Sequence, residues 1–135
     1  MKLLIGNRNY SSWSLRPWLV LKHFDIPFED EVLQLSGEGW RDVLAQRSPT
    51  GRVPVLIDGD LVVPETIAII EYLADRFPDK AIWPEEMGQR ALARAASAEM
   101  HSAFSSLRNH APMNLRASHP GKVIVDSVAK DLHRL

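Results

Sequence analysis

Residues 53–63, VPVLIDGDLVV, restrict the fold more than any other stretch of this chain. Two short apolar runs flank Asp58-Gly59-Asp60. Asp-Gly between such runs is a strong hairpin signal, because a tight two-strand turn needs residues that tolerate positive φ. Pro64 closes the second strand. Directly behind it, ETIAIIEYLADRF has the length and spacing of a helix. Ile67, Ile70, Ala74 and Phe77 repeat at three and four residues, which places them on one helical face.

The chain upstream supplies partners for this hairpin. Residues 2–6, KLLIG, have the pattern of a buried strand closed by Gly6. Ser11, Ser12 or Ser14 then caps a helix, since a serine oxygen accepts from a free amide of the first turn. Leu15, Trp18 and Leu19 follow at helical spacing, with Pro17 expected in the first turn, where its missing N–H is harmless. The helix ends near Asp25-Ile26-Pro27, because the residue before a proline resists helical angles. FEDEVLQ, residues 28–34, suits a second strand, and a short helix is expected around Trp40–Gln46.

Beyond the hairpin and its helix the composition shifts. PDKAIWPEE, with two prolines, is a linker, and from Gly88 the chain is alanine-rich. Leu92, Ala96, Met100, Ala103 and Leu107 predict one face of a helix limited by Pro112. SHPG at 118–121 is a second break, and VIVDSVAKDLHRL begins another helix. The order is β-α-β-α-β-β-α, a linker, then helices only. Alternating strands and helices argue for an α/β sheet with a crossover, and the helical remainder argues for a second unit. The expected boundaries are 1–78, a linker at 79–87, and 88–135.

Composition narrows the function classes. Charged residues make up 24% of the 135 and nearly cancel, for a net charge of -1, so no basic field serves nucleic acid. Apolar runs fall far short of the ~20 residues a membrane span needs, and MKLLIGNRNY makes a poor signal peptide. A cytoplasmic protein is the expectation. With no cysteine, disulfides, thiolate-ligated zinc and a cysteine nucleophile are excluded. His101 and His110 lie nine apart, on different faces of a helix that turns ~100° per residue. No Asp/Glu/His group has metal-ligand spacing, so no metal is expected and both histidines are read as structural.

SSWSLRPW, RVPVLIDG and PETIAIIEYLADRFP, in this order and spacing, resemble the glutathione S-transferase family. The resemblance implies a thioredoxin-like βαβαββα N-terminal domain followed by part of an all-α C-terminal domain. The adjacent serines are most similar to the zeta-type and related bacterial members, although those usually carry a cysteine where this chain has Trp13. The family's helical domain normally runs on, so the resemblance implies that this chain is a fragment or a truncated form. It also implies a homodimer.

The same resemblance assigns chemistry. An ordinary thiol has a pKa of ~8.5, and the family needs a thiolate at neutral pH. A hydroxyl bonded to sulfur and a nearby helix N-terminus both favour the charged form. The match gives Ser11 as the thiol activator and Ser12 as its neighbour and substitute. Tyr10 competes, because other branches use a tyrosine nearer the strand end; capping alone is the plain alternative for the serines. Val53 precedes Pro54, which is cis in the family, and pairs its backbone with the cysteinyl part of glutathione. Arg52 is a candidate for the glycine carboxylate. Thr66 and the amides around it are matched to the γ-glutamyl carboxylate, and Glu65 to the γ-glutamyl ammonium. Glutathione is thus the expected co-substrate and a small electrophile the second one. The alternative is a non-catalytic relative that binds glutathione or a protein through the same fold.

Overall fold

The computed structural model describes residues 1–122 and 124–135. Four strands, β1 (Lys2–Ile5), β2 (Glu29–Val32), β3 (Val55–Asp58) and β4 (Leu61–Pro64), form one sheet in the order β2-β1-β3-β4. β1 runs parallel to β2, so the intervening helix α1 (Ser12–His23) is a crossover. β3 is antiparallel to both β1 and β4. The predicted hairpin turns at Gly59, whose φ of 59° a side chain would resist. α2 (Trp40–Arg47) lies between β2 and β3, and α3 (Thr66–Arg76) follows β4. This is the thioredoxin-like βαβαββα order.

The strand pleat decides what each face buries. Leu3, Ile5 and Leu56 point to one side, where Leu21 of α1 and Ile69 and Leu73 of α3 complete a core. Leu4 and Val55 point to the other and meet Leu33, just after β2, and Leu44 of α2. α1 and α3 therefore share one face of the sheet, and their N-terminal ends lie side by side.

Two faces differ from the sequence expectation. α3 carries a broad apolar arc, and its fully buried stripe is Thr66, Ile69 and Leu73 rather than Ile67, Ile70, Ala74 and Phe77, which are half-buried. The expected helix through Leu107 is two helices, α4 (Met87–Ser102) and α5 (Ser105–His110), broken where Phe104 takes φ 63° and buries its ring. Leu92 is 66% exposed, so it is no core position. α6 (Asp126–Arg134) lies within VIVDSVAKDLHRL, of which Val123 falls outside the described residues. No helix among the described residues is long and apolar enough to cross a membrane.

An ion pair ties α2 to the sheet edge. Arg47 donates to both carboxylate oxygens of Glu31, and Lys2 Nζ approaches the same group at 3.5 Å. Hydrogen bonding from Arg47, opposed by partial burial, lowers the Glu31 pKa from 4.5 to about 2. A depressed acid stabilises the fold above its unfolded pKa and loses that contribution as pH falls through the folded one. Denaturant midpoints should therefore decline between pH 4.5 and about 2, and Arg47→Gln should flatten this decline. The pair is partly solvated, so its contribution is about 0.5 kcal/mol.

Candidate functional site

Pro17 shapes the site from a distance. It falls in the second turn of α1, not the first, because the helix begins at Ser12. Lacking an N–H, it cannot bond the carbonyl of Trp13 four residues back. Thr66, 1% exposed at the start of α3, takes that place: its hydroxyl donates to the Trp13 carbonyl at 3.2 Å. This bond locks the two helix N-termini together.

A cleft of about 260 Å³ opens beside the junction, lined by Trp13, Arg52, Val53, Pro54, Glu65, Thr66 and His101. All five residues matched to glutathione thus meet in one place, from two separate segments, 52–54 and 65–66. The Val53–Pro54 bond is cis. Ser48 orders the preceding loop, since its hydroxyl donates to the Arg52 carbonyl at 2.7 Å and accepts from the Arg52 amide at 3.1 Å. Glu65 caps α3 with φ 72° and ψ 134°, a region that side chains strongly resist. The Glu65 side chain makes no capping hydrogen bond to this end of α3. With the Thr66 hydroxyl committed to Trp13, the backbone amides of the first turn are the groups free for an anion.

Sequence reasoning missed two walls of this cleft. Trp13, which the sequence marks only as the residue standing in for a cysteine, and His101, read as structural, both line it. The His101 ring meets Trp13 edge-on at 5.0 Å. Arg16 lies 4.2 Å and Arg108 4.9 Å from the Trp13 ring centroid. Burial, and then the charge of Arg108, push the Arg16 pKa down. The indole is thus held among cations at the edge of the cleft. The signal for His101 lay in EMHSAFSSLR, but a helix of unknown docking gives no clue to which side chain reaches the sheet domain.

The serines are placed differently. Ser11 is the N-cap of α1, accepting from the Ser14 amide at 3.4 Å. Ser12 is the first residue of that helix, and neither lines the cleft. Ser11 instead borders a second pocket of about 170 Å³ with nearly apolar walls, among them Ile5, Leu15, Trp18 and Leu115. Leu115 comes from the helical half, tied to the serine loop by the hydrogen bond its N–H donates to the Asn9 carbonyl and by the one Asn9 Nδ2 donates to Asn114 Oδ1. Tyr10 is 60% exposed and borders neither. His110 bonds the Ser106 carbonyl on an exposed helix end. Among the described residues no cluster of His, Asp and Glu has the shape of a metal site.

Comparisons with known proteins identify the family of this chain. Residues 10–76 match the family profile "Glutathione S-transferase, N-terminal domain". Glutathione S-transferase 1 of Dianthus caryophyllus is 34% identical over 115 residues, 84% of this chain and 51% of that one. A probable maleylacetoacetate isomerase of Caenorhabditis elegans is also 34% identical, over 76% of this chain and 47% of its own length. The chain spans about half the length of the curated relatives it matches. A glutathione transferase homologue from Burkholderia, solved with bound glutathione, superposes with a TM-score of 0.67 at 31% identity, covering 80% of this chain and 56% of that one.

Proposed function

Because this chain belongs to the glutathione S-transferase family, we propose that it binds glutathione in the cleft between α1, β3 and α3 and delivers its thiolate to an electrophilic small molecule. The observation that carries this reading is the convergence of Arg52, Val53, Pro54, Glu65 and Thr66 on a single cleft. The γ-glutamyl carboxylate lies on the first amides of α3, and Glu65 accepts from the γ-glutamyl ammonium. The Val53 backbone pairs with the cysteinyl unit in extended fashion, and Arg52 attracts the glycine carboxylate.

The sulfur then points toward the N-terminus of α1. Ser11 donates a hydrogen bond to it, and the helix end adds partial positive charge; both stabilise the thiolate. The electrophile occupies the apolar pocket on the other side of Ser11, so the serine stands between the two reactants. The protein forms no covalent bond of its own in this scheme; it holds the anion and positions the attack. The assembly that goes with this reading is a homodimer, as in the family resemblance.

A non-catalytic binder is the second reading, favoured by the commitment of the Ser11 hydroxyl to the Ser14 oxygen of α1 at 2.9 Å. One experiment separates the two. The chain is passed over immobilised glutathione, and conjugation to an activated aryl halide is followed in wild type and Ser11→Ala. Retention of both, with a conjugation rate at least about tenfold lower in the variant at neutral pH, is the expected result. Retention with no turnover in wild type favours the binder, equal rates remove Ser11 as activator, and no retention removes the glutathione reading.

A further inference from the structure

We propose that Ser14, in the first turn of α1, is a positioning residue that frees the Ser11 proton for the sulfur. The inference rests on the glutathione transferase reading above.

Ser14 is 3% exposed, and its oxygen accepts twice: from the Gly6 amide at 3.1 Å and from the Ser11 hydroxyl at 2.9 Å. Gly6 closes the same knot from the strand side. A Cβ there would stand 3.1 Å from both Cβ and Oγ of Ser11. The knot joins the end of β1 to the first turn of α1, and it fixes the place of the Ser11 oxygen.

The two hydroxyls carry two protons. In the structure Ser11 directs its proton to Ser14, and the Ser14 proton has no acceptor among the described hydrogen bonds. The bond between the two oxygens can run in either direction, because hydroxyl rotors turn to suit their acceptors. When a thiolate lies beside Ser11, the favourable direction is the reverse one. The Gly6 N–H donates to Ser14, Ser14 donates to Ser11, and Ser11 donates to the sulfur. No covalent bond changes; two hydroxyls rotate. Every donor then has an acceptor, and each accepted bond makes the next hydroxyl a stronger donor. Ser14 never touches glutathione and acts only through Ser11.

This predicts a signature that a merely structural serine lacks. The pH profile of kcat reports the thiol in the loaded complex. Ser14→Ala should raise that apparent pKa by about half a unit, a roughly threefold smaller thiolate fraction on the acid side. The glutathione Kd, measured by calorimetry well below the thiol pKa, should remain at the wild-type value. Ser11→Ala should give a larger shift, and the double variant should shift no further than Ser11→Ala alone. If Ser14→Ala fails to fold by circular dichroism, Ser14→Cys, close in volume and a weak donor, is expected to give the same shift.

A profile unmoved by either Ser14 substitution, or a Ser14 shift that adds in full to that of Ser11→Ala, overturns the inference while the transferase reading stands. A Ser11→Ala profile identical to wild type overturns the serine reading itself.

Discussion

A Glu65→Gly chain should fold more stably than the wild type and lose most of its affinity for glutathione. Glu65 holds φ 72° and ψ 134° at the head of α3, where a side chain costs 1–3 kcal/mol and glycine costs little. Glycine loses more freedom on folding, which offsets part of that gain. The net increase in unfolding free energy should be about 1 kcal/mol. The carboxylate, however, is the cleft's partner for the γ-glutamyl ammonium in the proposed complex. Removing a hydrogen bond to a charged group costs about 1.5–3 kcal/mol, or a tenfold to hundredfold rise in Kd. Glu65→Gln separates the two effects: it keeps the strained backbone, so affinity falls with no gain in stability. Urea denaturation and calorimetry on the two variants check both halves. If Glu65→Gly were destabilising, the strain at this position would not be what a binding role maintains.

Thr66→Val should weaken the fold and the site together. Valine has nearly the same shape, but it cannot donate to the Trp13 carbonyl. Pro17 denies that carbonyl its helical partner, so the substitution leaves a part-buried acceptor without its protein partner. The expected cost is about 2 kcal/mol, and Thr66→Ser should recover most of it. Because the bond joins the starts of α1 and α3, its loss should also loosen the placement of the cleft-lining Trp13 and raise the glutathione Kd. A valine variant with wild-type denaturation and wild-type Kd would mean that the inter-helix bond matters to neither.

The sheet domain was legible because its signals are local. Asp58-Gly59 dictates a turn whatever surrounds it, Ser11 caps a helix with its own oxygen, and Trp40–Arg47 forms next to where short-range pattern places it. The segments RVPV and PET point to a cleft only through their resemblance to the family; by themselves they spell no more than a turn and a helix start. What failed depends on tertiary partners. In α3 two apolar stripes compete, and only the packing of Ile69 and Leu73 onto Leu3 and Leu56 decides between them. The break at Phe104 arises because its ring is buried, which costs the regular helix between Ser102 and Ser105. Pro17 was expected to be harmless; it proved to matter through the carbonyl it leaves unbonded, and no spacing rule reveals that Thr66 stands opposite. His101 enters the cleft only because α4 ends beside α1, a fact of docking that no single segment encodes.

The walls of the cleft come from positions as distant as Trp13 and His101, and this has a thermodynamic consequence. A molecule that touches all of them acts as a clasp between stretches of chain that otherwise open independently. Occupancy adds its binding free energy only to conformations in which the clasp is closed. Amide exchange in the last turn of α4 should therefore slow in step with exchange in α3, so that two local breathing motions merge into one cooperative event.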